Sequence, residues 1–249
     1  MTHCQNMIVL IACCSAAIAS SSVRAAEDLD IMYHERAPYY VTTTHGVGGV
    51  IGERARRIFS KAQISTSYRR VPASRQLKEI EWNQHKTCAL GWFKKPEREA
   101  FAKFTGSIYQ DKPLVLLVRR SESKTDGITS LAQLRNRPGL RMGTKLGYSY
   151  GPVLDNLVNK LGANVITTTQ DNAGLARMLL GKRFDFFIAA AEEAQGILDQ
   201  TDGANDNARI VPLSDSPPGN RRYIICSKRV DDVLIERLNT AINALSKSP

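Results

Sequence analysis

KTCALGWFKKPEREAFAKFTGSIY, residues Lys86 to Tyr109, opens as a short apolar strand, Thr87–Leu90, and breaks at Gly91. Trp92, Phe93, Lys94 and Lys95 follow, then a Pro-Glu-Arg turn at Pro96, Glu97 and Arg98. The apolar rhythm resumes at Phe101, Phe104, Ile108 and Tyr109. A strand that ends in glycine, two aromatic rings and a cluster of cations suits an anion, because ligands of open α/β sheets bind at strand ends. On these residues alone a basic surface turn with two packed rings fits equally well.

Upstream, Asp28–Tyr33 reads as a strand, followed by the loop His34–Tyr40 and a glycine-bearing turn at Gly46–Gly49. Val50, Ile51, Ala55, Ile58, Phe59 and Ala62 then recur at helical spacing, with Arg54, Arg56, Arg57 and Lys61 mostly on the outer side. Ile64–Val71 alternates as a second strand, and a helix with Ser74 as its N-cap runs to about Gln84. Downstream, PLVLLV at Pro113–Val118 is the continuous apolar run of a buried strand. Arg119–Thr129 is polar and marks a boundary, and Ser130 caps a short helix after it. Strands at Leu140–Thr144, Asn164–Thr169, Phe184–Ala190 and Arg209–Leu213 alternate with helices, one of them closed by Gly181. A strand at Arg221–Ser227 and an amphipathic helix from Asp231 complete the chain. Alternating strands and helices predict largely parallel sheets.

The chain has 249 residues, enough for one large domain or two small lobes. Its 43% hydrophobic and 23% charged residues are ordinary for a globular protein. The net charge of +10 is spread along the whole chain. It comes with no basic helix interleaved with aromatics and no zinc spacing, so nucleic acid is not an expected partner. His34, His45 and His85 lack paired metal or catalytic spacing, and no metal or cofactor is expected.

Met7–Ile18, MIVLIACCSAAI, is an apolar run of signal-peptide length, and Val23-Arg24-Ala25 fits the small-x-small cleavage pattern. Residues 1–25 are read as a cleavable leader, although Met1–Asn6 carries no Lys or Arg. Leu10-Ile11-Ala12-Cys13 is the competing lipobox reading. Of the five cysteines, three fall in the leader, leaving Cys88 and Cys226 in the mature chain. Two cysteines in an exported chain often pair, and two buried thiols are the alternative.

Several pieces in order resemble the family 3 extracellular solute-binding proteins, the periplasmic receptors of polar amino acid ABC transporters. They are Ala37-Pro38-Tyr39 after the first strand, Pro96-Glu97-Arg98 followed by FTGSIY, and SLAQL at Ser130–Leu134 followed by GLRMGTKLGYSY. LLGKRFDFFIA at Leu179–Ala189 and the C-terminal helix follow. The resemblance implies a type II periplasmic binding fold: two α/β lobes, each a mostly parallel sheet flanked by helices, joined by two hinge strands that close on ligand. Lobe 1 would span 26–111 plus 214–249 and lobe 2 would span 112–213, with hinge strands near Tyr109–Leu117 and Ile210–Leu213. In that mapping Cys88 and Cys226 share lobe 1, consistent with a disulfide.

The resemblance also carries site expectations. Arg98 matches the arginine that pairs with a ligand carboxylate through its planar fork. Ser149, with Tyr148 beside it, matches a second carboxylate contact at a helix start. Tyr39, Tyr40, Trp92 and Phe93 are candidate aromatic walls, of which two are expected in the cleft. Arg36, Arg75 and Lys94 are further candidate cations. The family's ammonium-binding Asp has no match: its place falls near Ala190, and Glu192 is the candidate substitute. A standard α-amino acid is therefore not the expected ligand, while an anion is.

The expectation is a monomeric periplasmic binding protein, not an enzyme, that captures a small anionic solute and delivers it to an ABC permease in the inner membrane. Two alternatives are a periplasmic enzyme on the same scaffold, resembling cyclohexadienyl dehydratases with Glu35 or Glu192 as acid or base, and a sensing module for a membrane receptor.

Overall fold

The computed structural model describes residues 28–44 and 46–246; the expected leader with its cleavage after Ala25, the Cys13 lipobox and His45 lie outside them. The chain first builds β1 (Asp28–Tyr33), the hairpin β2 (Val41–Thr43) and β3 (Gly46–Gly48), α1 (Gly49–Lys61), β4 (Ser65–Arg70) and α2 (Ala73–Trp82). β5 (Thr87–Trp92), the short α3 (Pro96–Glu99) and β6 (Ala102–Gln110) follow. After Asp111–Pro113 come β7 (Leu114–Arg119), α4 (Leu131–Arg135), β8 (Met142–Lys145), α5 (Pro152–Leu161), β9 (Val165–Thr168) and α6 (Asn172–Leu180). Then come β10 (Phe186–Ala190), α7 (Ala191–Asp199), α8 (Ala204–Asn207) and β11 (Ala208–Pro212). The chain returns with β12 (Arg221–Ser227) and ends in α9 (Asp232–Ser246).

Two five-stranded sheets result, ordered β4-β1-β5-β12-β6 and β11-β7-β10-β8-β9, and helices flank both. The fold is the two-lobed α/β architecture expected. The sheets are mixed where mostly parallel ones were expected. β1 pairs in parallel with β4 and β5, but β12 runs antiparallel to β5 and β6. β8 pairs in parallel with β9 and β10, but β7 runs antiparallel to β10 and β11. Within these two sheets the antiparallel pairs all involve β7 or β12, the strands that follow the two crossings between sheets. A strand entering from the neighbouring sheet has no crossover helix to turn it round.

Apolar alternation builds the cores. In β7, Leu114, Leu116 and Val118 pack on one side and Val115 and Leu117 on the other, so the continuous run is buried on both faces. β10 does the same with Phe186, Ile188 and Ala190 against Phe187 and Ala189. Helix α1 buries Ile51, Ala55, Ile58 and Phe59 against the first sheet, each such side chain contributing about 1.5–3 kcal/mol except the smaller alanine. Ser130 forms a full capping box with Gln133. The expected Ser74 cap does not form, because α2 begins two residues earlier than that cap requires, behind Pro72, whose carbonyl accepts from Arg75 and Gln76. Cys88 and Cys226 face each other across β5 and β12 and are bonded as a disulfide.

The two crossings run side by side. Asp111 N–H donates to Asn220 O at 3.0 Å, and a Cβ on Gly219 would overlap the Asp111 carbonyl. Among the described residues no helix is long and apolar enough to cross a membrane.

Candidate functional site

The C-terminal ends of β5 and β10 and the start of β7 face one another between the lobes. Leu90, Leu114, Ile188 and Ala190 form the apolar lining of a cavity of ≈ 50 Å³. A cavity of this size suits a small ligand. Gly91, the last residue but one of β5, has φ +72°, and a Cβ there would overlap the Tyr40 hydroxyl, which donates to Leu90 O at 3.2 Å. Only glycine allows the strand to turn against that ring.

The turn delivers Arg98 to the cavity. Its guanidinium lies 4.9 Å from the centre of the Trp92 ring, Nη1 donates to Phe93 O at 2.9 Å, and the residue is 8% exposed. Arg98 has no ion-pair partner among the described residues. The other two arginines at the cavity are matched. Arg222, 5% exposed, forks onto Asp111 at 2.5 and 2.8 Å, donates to Gly91 O at 3.1 Å, and lies against the rings of Tyr39 and Phe93. Burial pushes the Asp111 carboxyl up from its usual value while the Arg222 charge opposes it. Arg36 forks onto Glu193 at 2.6 and 2.7 Å, reaching across from the first lobe to the start of α7. Glu193 is fully buried and also accepts from Asn172 Nδ2 at 3.1 Å.

Other contacts span the cleft. The Tyr148 hydroxyl and His34 Nε2 are 2.7 Å apart, and Tyr148 lies beneath Arg36 and Lys145. Burial and the neighbouring charges of Arg36, Lys145 and Arg222 hold His34 well below its ordinary value, so it is neutral. Burial lowers Lys145 to about 7. Lys95 reaches Asp155 at 2.8 Å, and Asn220 Nδ2 donates to Tyr150 O at 3.0 Å.

The expected residues divide. Arg98, Trp92, Phe93, Arg36, Tyr148 and Ser149 line the cavity. Tyr39 and Tyr40 are buried behind it, so two of the four aromatic candidates reach the cleft. Glu192 points elsewhere: its carboxylate takes the Tyr39 and Tyr109 hydroxyls at 2.9 and 3.2 Å and the Lys112 N–H at 3.0 Å. Glu193, one residue on, is the acid that α7 brings to the cavity. Lys94 pairs with Glu99 at 3.2 Å, and Arg75 with Glu79 at 2.8 Å on an exposed helix face, so neither lines it.

Ser149 holds an anion, but it is the chain's own. Its hydroxyl donates to Asp155 Oδ2 at 2.6 Å, and Tyr150 N–H donates to Asp155 Oδ1 at 2.8 Å. Burial raises the Asp155 carboxyl, but the bonds from Lys95 and Ser149 more than offset it and hold it below the usual range. Asp111, Glu193, Arg222, His34 and Asn220 were not anticipated at the cavity. Arg222 carried one signal, since it shares a strand face with the buried Ile224 and Cys226.

No family model matches the chain, and no curated protein matches it by sequence. Solved structures match it by fold. An ancestral arginine-binding protein bound to arginine superposes with a TM-score of 0.70 at 16% identity, covering 90% of this chain and 93% of that one. The substrate-binding protein of an amino acid ABC transporter gives 0.68 at 13%, covering 88% and 92%. A histidine kinase sensor domain with similarity to periplasmic binding proteins gives 0.67 at 18%, covering 89% and 90%. The chain therefore has the two-lobed periplasmic-binding-protein fold, and at these identities the likeness speaks to fold and not to ligand.

Proposed function

We propose that this chain is a periplasmic solute-binding protein that traps a small anionic solute between its lobes, as a monomer and without chemistry, and passes it to an ABC permease. Arg98 carries the reading. It is a buried cation at the cavity with no ion-pair partner among the described residues, while Arg36 and Arg222 beside it are each neutralised by a carboxylate. A buried charge left unpaired costs several kcal/mol, and a ligand carboxylate in the fork of Arg98 would remove that cost. Leu90, Leu114, Ile188 and the face of Phe93 are suited to enclose the rest of the solute. The contacts across the cleft favour closure on it.

A thermal-shift screen of the purified chain against small carboxylates, amino acids, sugars and inorganic anions tests this. Ligand at a hundred times its dissociation constant stabilises by about 2.7 kcal/mol, and anions are the class expected to raise Tm. Shifts only with sugars or cations, or none with any anion, overturn it. The sensor domain among the structural neighbours favours one second reading, in which the same capture reports to a membrane receptor. Ligand-dependent stimulation of a neighbouring permease's ATPase supports transport, and ligand-dependent binding to a receptor supports sensing.

A further inference from the structure

The hydrogen-bonding groups around the cavity are unequally used. Its two carboxylates are both engaged, Asp111 by Arg222 and Glu193 by Arg36 and Asn172. The backbone acceptors at the end of β5 are engaged too. Leu90 O takes the Tyr40 hydroxyl, Gly91 O takes Arg222 Nη1, and Phe93 O takes Arg98 Nη1. Donors remain over. Arg98 spends one N–H on Phe93 O and keeps the rest. His34 Nδ1 is buried with no hydrogen-bond partner. His34 Nε2 shares a hydrogen bond of 2.7 Å with the Tyr148 hydroxyl, in which either partner can donate.

We infer that the cleft selects small monocarboxylates that lack an amino group, and that Arg36 sets this selectivity by occupying Glu193. The inference rests on the proposed capture of an anion by Arg98. A carboxylate arriving at the cavity meets the unused N–H groups of Arg98, with His34 also in the lining, and a 2-oxo or 2-hydroxy oxygen adds an acceptor for the guanidinium. An ammonium group meets a lining whose two carboxylates are each neutralised by an arginine and which already holds the unpaired Arg98 cation, so its charge is desolvated without a counter-charge. Arg36 stands where such a cation would have to stand: its guanidinium forks onto the acid at the start of α7.

Calorimetric titration of the purified chain with matched pairs tests this: pyruvate and lactate against alanine, and 2-oxobutyrate against 2-aminobutyrate. Each amino-free acid is expected to bind at least a hundredfold more tightly than its amino partner. Arg36→Met, which releases Glu193, is expected to bring that ratio below tenfold. Amino acids that bind as tightly as their partners, with binding lost in Arg98→Ala, overturn the selectivity and leave the anion capture standing. Binding of no acid of either kind overturns both. An unchanged ratio in a folded Arg36→Met chain removes Arg36 from the role. If that variant fails to fold, the wild-type ratio alone decides.

Discussion

Asp111→Ala would leave Arg222 as a buried cation with no carboxylate. The two bonds lost measure 2.5 and 2.8 Å, and both residues are 5% exposed, so water cannot replace the missing oxygens. Breaking a buried pair from one side costs about 3–5 kcal/mol. Arg222 keeps the Gly91 carbonyl and the ring faces of Tyr39 and Phe93, with centroids at 4.4 and 4.8 Å, which puts the expected loss at the lower end, about 3 kcal/mol. For a chain of this size each kcal/mol moves Tm by about 2–4 °C, so a fall of roughly 6–12 °C is expected by calorimetry. Asp111→Leu combined with Arg222→Met removes both charges and recovers most of the loss, because an apolar pair of similar volume replaces a buried ion pair well. A Tm within about 2 °C of wild type for Asp111→Ala, or a double variant no more stable than the single one, would refute the reasoning.

Two further outcomes concern stability. The Cys88–Cys226 bond closes a loop of sequence separation 138, so reduction, or Cys88→Ala with Cys226→Ser, is expected to cost about 2–5 kcal/mol in urea melts; coincident melts with and without reductant contradict this. Burial pushes the Asp185 carboxyl up, but its hydrogen bonds from Arg141 more than offset this and hold it below the usual range. Its stabilisation is therefore full above the unfolded value of about 4 and is lost as pH falls through the lower folded value. Urea midpoints between pH 6 and 3 should fall less steeply in Asp185→Asn, and an equal slope would remove Asp185 from the acid response.

The sequence reading placed the elements because their signals are local, and took the two-lobed arrangement from the family resemblance. The buried run Pro113–Val118, the amphipathic α1 and the Ser130 cap each declare an element without help from distant residues. Arg98, which lines the cavity, was singled out by the resemblance that the Pro-Glu-Arg turn carries. The acid at the cavity was missed by one residue because α7 begins immediately after β10 at Ala191. Successive helical residues point about 100° apart, so the exact start of the helix decides whether Glu192 or Glu193 faces the cavity. Lys94 and Lys95 separate in the same way, one to Glu99 and the other across the cleft to Asp155. Asp111 and Arg222 meet across 111 positions of sequence, and nothing near either names the other. The carboxylate that satisfies Ser149 is six residues downstream, where it reads as an ordinary acid in the first turn of a helix.

The measurement that bears most directly on the account is the affinity of an identified anionic ligand for the wild type and for Arg98→Ala, by calorimetry under one buffer condition. The account predicts a loss of a hundredfold or more, since truncating one side of a desolvated charge pair costs about 2–5 kcal/mol. Equal affinities would contradict it and would mean that the anion is held elsewhere in the cleft.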